Sequence, residues 1–156
     1  MQYQQKGQHL YGREQQRPAS FPWDTVYRTG YFDDSGNIKC ELLVESANRI
    51  ARELGDSGVT FTQLRRFFGQ VRCIERELGQ KEFPQLVPQI QSLEPMVANY
   101  VGRAKNQAER AQREIFKQFI DHNVRLAARD ERSFRKGFIP HFESVVAYYK
   151  YNFPNK

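Results

Sequence analysis

Hydrophobic residues recur every three or four positions along most of the chain, which is the spacing of one face of an α-helix. A first stretch of this kind covers residues 41–54, and Gly55 follows it in the place where a left-handed helix cap belongs. A second stretch begins at Thr60 or Thr62, either of which can act as an N-cap, and ends at Leu78. The pattern therefore predicts two amphipathic helices in this part of the chain.

The carboxyl-terminal half continues the helical spacing, but prolines interrupt it. Residues 83–102 are apolar and contain three prolines, each of which lacks an amide donor, so broken helices are expected there. A longer helix is predicted over 106–129, and a last one carries the aromatic residues of 134–149. The predicted inner side of the longer helix consists of Ala108, Ile115, Phe116, Phe119, Ile120, Asn123, Leu126 and Ala127.

No segment shows the alternation of apolar and polar residues that is typical of a half-buried strand. The predicted fold class is therefore all-α, a compact helical bundle of roughly five to six helices. Residues 1–22 are rich in Gln, Gly and Arg and cannot bury enough apolar surface to offset ordering, so a flexible tail is expected there. Residues 23–156 are expected to form a single helical domain.

The charge balance points to a polyanionic partner. The chain has 24 basic and 18 acidic residues, a formal charge of +6, and 16 of the basic residues are arginines. The planar guanidinium group pairs with phosphate oxygens through two parallel hydrogen bonds, so nucleic acid is the partner that this composition favours. No apolar run approaches membrane-spanning length and no secretory signal is recognisable, so a cytoplasmic protein without membrane contact is expected.

Catalytic and metal-binding signatures are not found in the sequence. It contains no Gly-rich phosphate loop, no HExxH, no DxD-type metal cluster and no nucleophile elbow. Two cysteines are too few for a disulfide framework or a four-ligand metal site, and His122 and His141 have no partner at ligand spacing. We therefore expect a protein that is not an enzyme and that has no catalytic residues, no metal and no cofactor.

The second predicted helix carries a row of arginines. At 100° per residue, Arg65, Arg72 and Arg76 fall within about 40° of one another, roughly opposite the apolar face. Gly69 lies in the same row, so a phosphate backbone could approach the helix closely there, and Arg66 widens the row on one side. These four arginines are candidate RNA-binding residues, and the competing interpretation is a solvated face with ion-pair partners.

Acidic neighbours decide between those two interpretations. Glu75 and Glu77 are expected to point away from the centre of the row, which favours a binding function. Arg103 and Lys105 follow the broken helices at a junction from which side chains can project, and they are further candidates. Arg110 is also a candidate, although its helix face is expected to be neutralised by ion pairs.

Two other basic groups are more readily explained by structure. Arg113 and Lys117 share the face of Arg110, and Glu114 and Asp121 lie beside them, which favours a salt-bridge network. A second basic run, interrupted by two acidic residues, lies at a helix junction where the helix dipole favours cations anyway. Its basic members are Arg129, Arg132, Arg135 and Lys136.

The chain from about Tyr31 to Phe153 resembles a known family. The most specific blocks are QLRRFF at 63–68 and FESVVAYYK at 142–150, and a Tyr-Val-Gly-Arg segment at 100–103 adds to them. With the helical spacing of 42–55, these blocks resemble the small subunit, the second Csm protein, of type III-A (Csm) CRISPR-Cas effector complexes, which act in antiviral defence.

The resemblance implies a small helical protein without catalytic activity. Copies of such a subunit stack as a filament beside the crRNA-bound backbone subunits and line the duplex of crRNA and target RNA. The implied partners are crRNA, target RNA, the backbone and large subunits of the Csm complex, and further copies of the chain as a filament or dimer. The family roles fall on Arg65, Arg66 and Arg103. The alternatives are a free-standing helical DNA-binding regulator, with 60–78 as recognition helix, a purely structural adaptor, or an ancillary nuclease.

Overall fold

A computed structural model describes residues 20–156 and confirms the all-α prediction. Six α-helices have nine or more residues, in agreement with the predicted number, and the one β-type pairing in this range is an isolated bridge between Phe32 and Ile38. The helices are α1 (Trp23–Tyr27), α2 (Cys40–Leu43), α3 (Glu45–Asp56), α4 (Phe61–Glu77), α5 (Phe83–Gln91), α6 (Leu93–Gly102), α7 (Gln107–Ala127), a π-helix (Ser133–Phe138) and α8 (Ile139–Asn152).

Most of the predicted amino-terminal tail, residues 1–19, lies outside the described residues. Phe21 and Trp23 are both buried, and their ring centroids are 4.3 Å apart. The guanidinium of Arg49 on α3 lies 5.0 Å from the centroid of the Phe21 ring. The hydrophobic core therefore already includes Phe21.

Helix α4 begins with a complete capping box. The hydroxyl of Thr60 accepts from the amide of Gln63, and the side chain of Gln63 accepts from the amide of Thr60. Of the two predicted caps, Thr60 is the one used. The helix buries Leu64, Phe67 and Val71 on one side, so it is a fixed rod with one free face.

The break predicted in 83–102 occurs at Ser92, which separates α5 from α6. Pro84 lies in the first turn of α5, where the missing amide costs no hydrogen bond, while Pro88 lies inside that helix. Helix α7 then runs alongside α6 as the longest element of the fold.

One residue of the predicted inner side of α7 is on the outside. Ala108 is exposed, while Phe116, Phe119 and Asn123 are buried. Ala108 precedes Phe116 by eight residues, which is about 80° of helix rotation, so it lies at the edge of the buried stripe in the first turn. The assignment of Ala108 to the core was wrong for this reason.

The single helix predicted over 41–54 is interrupted at Val44, whose φ of −121° and ψ of −83° are not helical. The interruption leaves the Leu42 carbonyl to accept a hydrogen bond from Nδ1 of His141 on α8. The prediction of Gly55 as a left-handed cap was also wrong, because Gly55 lies inside α3, and a Cβ there would come within 2.1 Å of the Phe153 ring.

A chain of buried hydrogen bonds joins the amino-terminal segment to α7 and α8. Since Nδ1 of His141 donates to the Leu42 carbonyl at 2.6 Å, its Nε2 accepts from the hydroxyl of Tyr27 at 2.7 Å. The Tyr27 oxygen in turn accepts from Nδ2 of Asn123, and Oδ1 of Asn123 accepts from the hydroxyl of Tyr31. Burial lowers the pKa of His141 to about 4 and raises the pKa of Tyr27.

The neutral imidazole of His141 makes a pH-dependent contribution to stability. Its pKa is about 4 in the fold, against 6.5 when unperturbed, so the unfolded chain binds the proton more readily. Stability is expected to fall as the pH drops from 6.5 toward 4, by up to about 3 kcal/mol from this group. Urea unfolding of wild type and His141→Gln across this range measures the effect. The variant should be less stable at neutral pH and should show a shallower slope, and equal slopes would contradict the assignment.

Replacing each of two glycines with alanine should change the free energy of unfolding in opposite directions. A Cβ on Gly137 would lie 2.4 Å from the Tyr31 ring, so Gly137→Ala is expected to lower the free energy of unfolding by about 1–3 kcal/mol through overpacking. Gly69 in α4 has nothing within 4 Å of a Cβ, so Gly69→Ala is expected to raise it by about 0.5–1 kcal/mol. Urea unfolding of both variants checks this, and a neutral Gly137→Ala would argue against the Tyr31 packing.

Candidate nucleic-acid interface

The free face of α4 carries the predicted arginines. Arg65, Arg66 and Arg76 are exposed, and Gly69 leaves open space between them. The guanidinium of Arg65 lies 5.6 Å from the centroid of the Phe61 ring. Nζ of a lysine on α8 lies over the same ring, so two cationic groups make cation–π contacts with one aromatic ring at this end of α4.

Arg72 is less free than the sequence indicated. Its Nη1 lies 2.8 Å from Oε2 of Glu75, so the expectation that Glu75 points away from the row was wrong. The two residues are three positions apart, a spacing that the long arginine side chain spans on a helix surface. Glu77 does point away and accepts from Gln89 of α5 at 2.8 Å, and this hydrogen bond is the main cause of its lowered pKa.

Arg66 and Arg103 meet at a cleft between α4 and α6, which we call the α4–α6 cleft. Its volume is about 240 Å³, and none of the residues that line it is acidic. No ion pair within residues 20–156 involves Arg66 or Arg103. The lining residues are Gln63, Arg66, Phe67, Met96, Asn99, Tyr100, Arg103 and Arg113.

Arg113 lines the same cleft but is held by internal contacts. Its Nη2 lies 2.7 Å from Oε1 of Glu109, its Nη1 donates to the Tyr100 carbonyl at 2.7 Å, and its guanidinium lies 4.5 Å from the Tyr100 ring centroid. Glu109 also accepts from the backbone amide of Lys105, which is the main cause of its lowered pKa. Arg113 therefore braces α7 against α6.

The remaining candidates lie near this brace. Lys105 is exposed in the α6–α7 loop, and Arg110 is exposed in the first turns of α7 with no ion pair inside the described range. The salt-bridge interpretation is confirmed for Lys117, whose Nζ lies 2.5 Å from Oδ2 of Asp121. Arg113 is also paired, but with Glu109 and not with the expected Glu114, and the expectation that ion pairs neutralise the face of Arg110 was wrong for Arg110 itself within the described range.

A second cleft lies at the other end of α4, beside the π-helix, and we call it the α4–π cleft. Its volume is about 360 Å³, and Arg72, Arg76 and Arg135 all contribute to its wall. Helical periodicity does not bring Arg135 to the α4 row, because the two segments are far apart in the chain. The signal that could have drawn attention to it is the basic run of 129–136.

The geometry suits contact with phosphate groups. Guanidinium groups on a rigid helix offer paired donors, and exposed ones lose little when they exchange water for a phosphate oxygen. In residues 20–156 no group of three or more His, Cys, Asp or Glu side chains is arranged to hold a metal ion. Among the helices of this range, none is both long and apolar enough to cross a membrane.

The fold and the interface define a small, basic, all-α protein with arginine-lined clefts. The family model described as Csm2 Type III-A matches residues 37–155. The chain therefore belongs to the Csm2 family, the small subunit of the type III-A CRISPR-Cas (Csm) complex, and the resemblance found in its sequence is confirmed. The comparisons with curated proteins and with solved structures gave no match.

Arginines with internal partners and arginines without them should contribute differently to the free energy of unfolding. Arg113→Met should lower the free energy of unfolding by about 2 kcal/mol, because it removes charge-assisted hydrogen bonds to Glu109 and to the Tyr100 carbonyl. Arg66→Met and Arg103→Met remove the same charge from exposed positions and should change it by less than about 0.5 kcal/mol. Equal losses in all three variants would show that the cleft arginines are structural.

Proposed function

We propose that this Csm2-family chain is a non-catalytic subunit that stacks in multiple copies along the duplex of crRNA and target RNA. It contacts the RNA backbone without reading the sequence and works in the cytoplasm with the backbone and large subunits of the complex. The observation that carries the proposal is the meeting of Arg66 and Arg103, from α4 and the end of α6, at a cleft without acidic lining. Membership in the Csm2 family supports the part of the proposal that concerns assembly with the other subunits.

Sequence-independent contact follows from what such a complex must recognise. Base pairing between guide and target carries the sequence information, so the protein has only the backbone and the shape of the duplex left to recognise. Phosphate contacts position a nucleic acid without specifying it. Exposed arginines on a rigid rod meet this requirement, because they present paired donors at fixed spacing and show no base preference of their own.

The candidate residues contribute to different degrees. Arg65, Arg66, Arg76 and Arg103 are exposed and make no ion pair in the described range, so they form the centre of the proposed contact. Arg72 shares its charge with a neighbouring carboxylate and contributes less. Lys105 and Arg110 are exposed between Arg103 and Arg113 in the sequence and add further positive charge to this part of the surface. The proposed RNA-binding residues are Arg65, Arg66, Arg72, Arg76, Arg103, Lys105 and Arg110.

The proposal is tested in a reconstituted complex that contains crRNA. The triple variant Arg65→Ala, Arg66→Ala, Arg103→Ala is expected to reduce protection of bound target RNA against nuclease. Each lost contact should also lower the slope of log K against log salt by about 0.7–0.9. The measurements are footprinting of the target and titration at several salt concentrations.

Arg52→Ala provides a matched control, because Arg52 is exposed on α3 and lines neither cleft. Thermal unfolding shows whether the triple variant is folded. Unchanged protection with a folded triple variant would refute RNA contact at these residues. Tighter and sequence-dependent binding to duplex DNA by the wild-type chain would favour the DNA-binding regulator instead.

A further inference from the structure

We propose that Arg135, on the π-helix, and Arg76, on α4, form a second phosphate-binding site in the α4–π cleft, whose wall also includes Arg72. The proposal rests on the proposed function and deepens it, since the ligand is a phosphodiester of the same RNA. It assigns a binding role to a residue whose sequence context indicated only a helix-terminus charge.

The charges of the cleft favour an anion. Its wall carries three guanidinium groups and the single carboxylate of Glu75. That carboxylate is taken up by Arg72 at 2.8 Å, which leaves Arg76 and Arg135 to bind a ligand. The pairing of Arg135 with Glu131 is loose, with Nη1 and Oε1 3.9 Å apart and both side chains about half exposed. Exposed pairs of this kind contribute little energy, so a phosphate can replace Glu131 as the partner.

The π-helix holds Arg135 at a fixed position. The residue before it, Phe134, is fully buried, and so is Phe138 at the end of the π-helix. Gly137 lies against the Tyr31 ring so closely that no side chain fits between them. Because its neighbours are anchored on these sides, Arg135 extends from a rigid segment. Short π-helical segments occur frequently at functional sites.

The two clefts lie at opposite ends and on different flanks of α4. Arg66 and Arg76 are ten residues apart, which is about 15 Å along the helix. Gly69 lies three residues from both Arg66 and Arg72, about 60° of rotation from each. A strand that contacts both clefts therefore crosses the helix over Gly69, where the surface is open.

The test uses the full-length chain and a fluorescein-labelled RNA duplex, with fluorescence anisotropy from about 50 to 200 mM salt. Arg135→Ala is expected to weaken binding roughly tenfold at the lowest salt and to lower the salt slope by about 0.7–0.9. The matched control is Lys136→Ala, which removes the same charge from the next, exposed residue and leaves the lining of the cleft intact. Arg135→Lys should restore only part of the affinity, since an ammonium lacks the paired donors.

A double-mutant cycle shows whether Arg135 and Arg76 bind the same phosphate. The combined loss in Arg76→Ala, Arg135→Ala should be smaller than the product of the single fold-losses, because either change already disables the site. Arg66→Ala, Arg135→Ala should show the simple product, since these residues belong to different clefts. Thermal unfolding confirms that each variant is folded.

The outcomes separate this inference from the proposed function. If Arg135→Ala behaves like Lys136→Ala, or if its effect multiplies with that of Arg76→Ala as it does with that of Arg66→Ala, the second site is refuted. If Arg66→Ala weakens binding at the same time, the proposed function stands. If the wild-type chain does not bind the duplex at about 50 mM salt, or if no arginine variant differs from it, the proposed function itself is overturned.

Discussion

The imidazole of His141 is the point on which the packing of this protein depends. It is buried, and each of its two nitrogens has one specific partner, the carbonyl of Leu42 and the hydroxyl of Tyr27. A buried polar group without a partner costs about 1–3 kcal/mol, so these groups can be buried only if α1, α2, α7 and α8 take up one arrangement. Asn123 and Tyr31 extend the same constraint to the turn after α1. The interruption of the helix at Val44 is part of this arrangement, because it leaves the Leu42 carbonyl for the imidazole.

Once α7 and α8 are fixed, the aromatic core positions α4 and the π-helix. Phe67 of α4 contacts Phe116 of α7, and Phe68 packs against Phe142 of α8. The arginine row then faces away from the core, and the π-helix comes to the carboxyl-terminal end of α4. The buried side of α4 fixes the helix in place by its packing. The arginines on the opposite side of α4 can therefore be exposed and still be held in fixed positions.

The arginines divide into two groups with different roles. Arg113 and Arg132 are used within the protein, the first between α6 and α7, the second on the carbonyl of Gly36 and the ring of Phe32. Arg66, Arg76 and Arg103 have no internal ion pair in residues 20–156 and are available to a partner. Net charge alone does not distinguish the groups, and the difference lies in which acceptors the fold brings within reach. The second group is the one on which the proposed RNA contact depends.

The sequence by itself determined the helical class, the extent of α4 and α7, the interruption among the prolines of 83–102 and the outward face of the arginines. All of these follow from local periodicity and from the chemistry of capping and proline, which act over a few residues. Only the tertiary structure decided that Gly55 lies against Phe153, that Arg113 braces α6, and that Arg135 reaches the α4 row. These contacts join residues far apart in sequence, and they depend on how buried surfaces and hydrogen bonds are satisfied together. Even the pairing of Arg72 with Glu75, which is local, depended on the side-chain conformation that the helix surface allows, and periodicity does not contain that information.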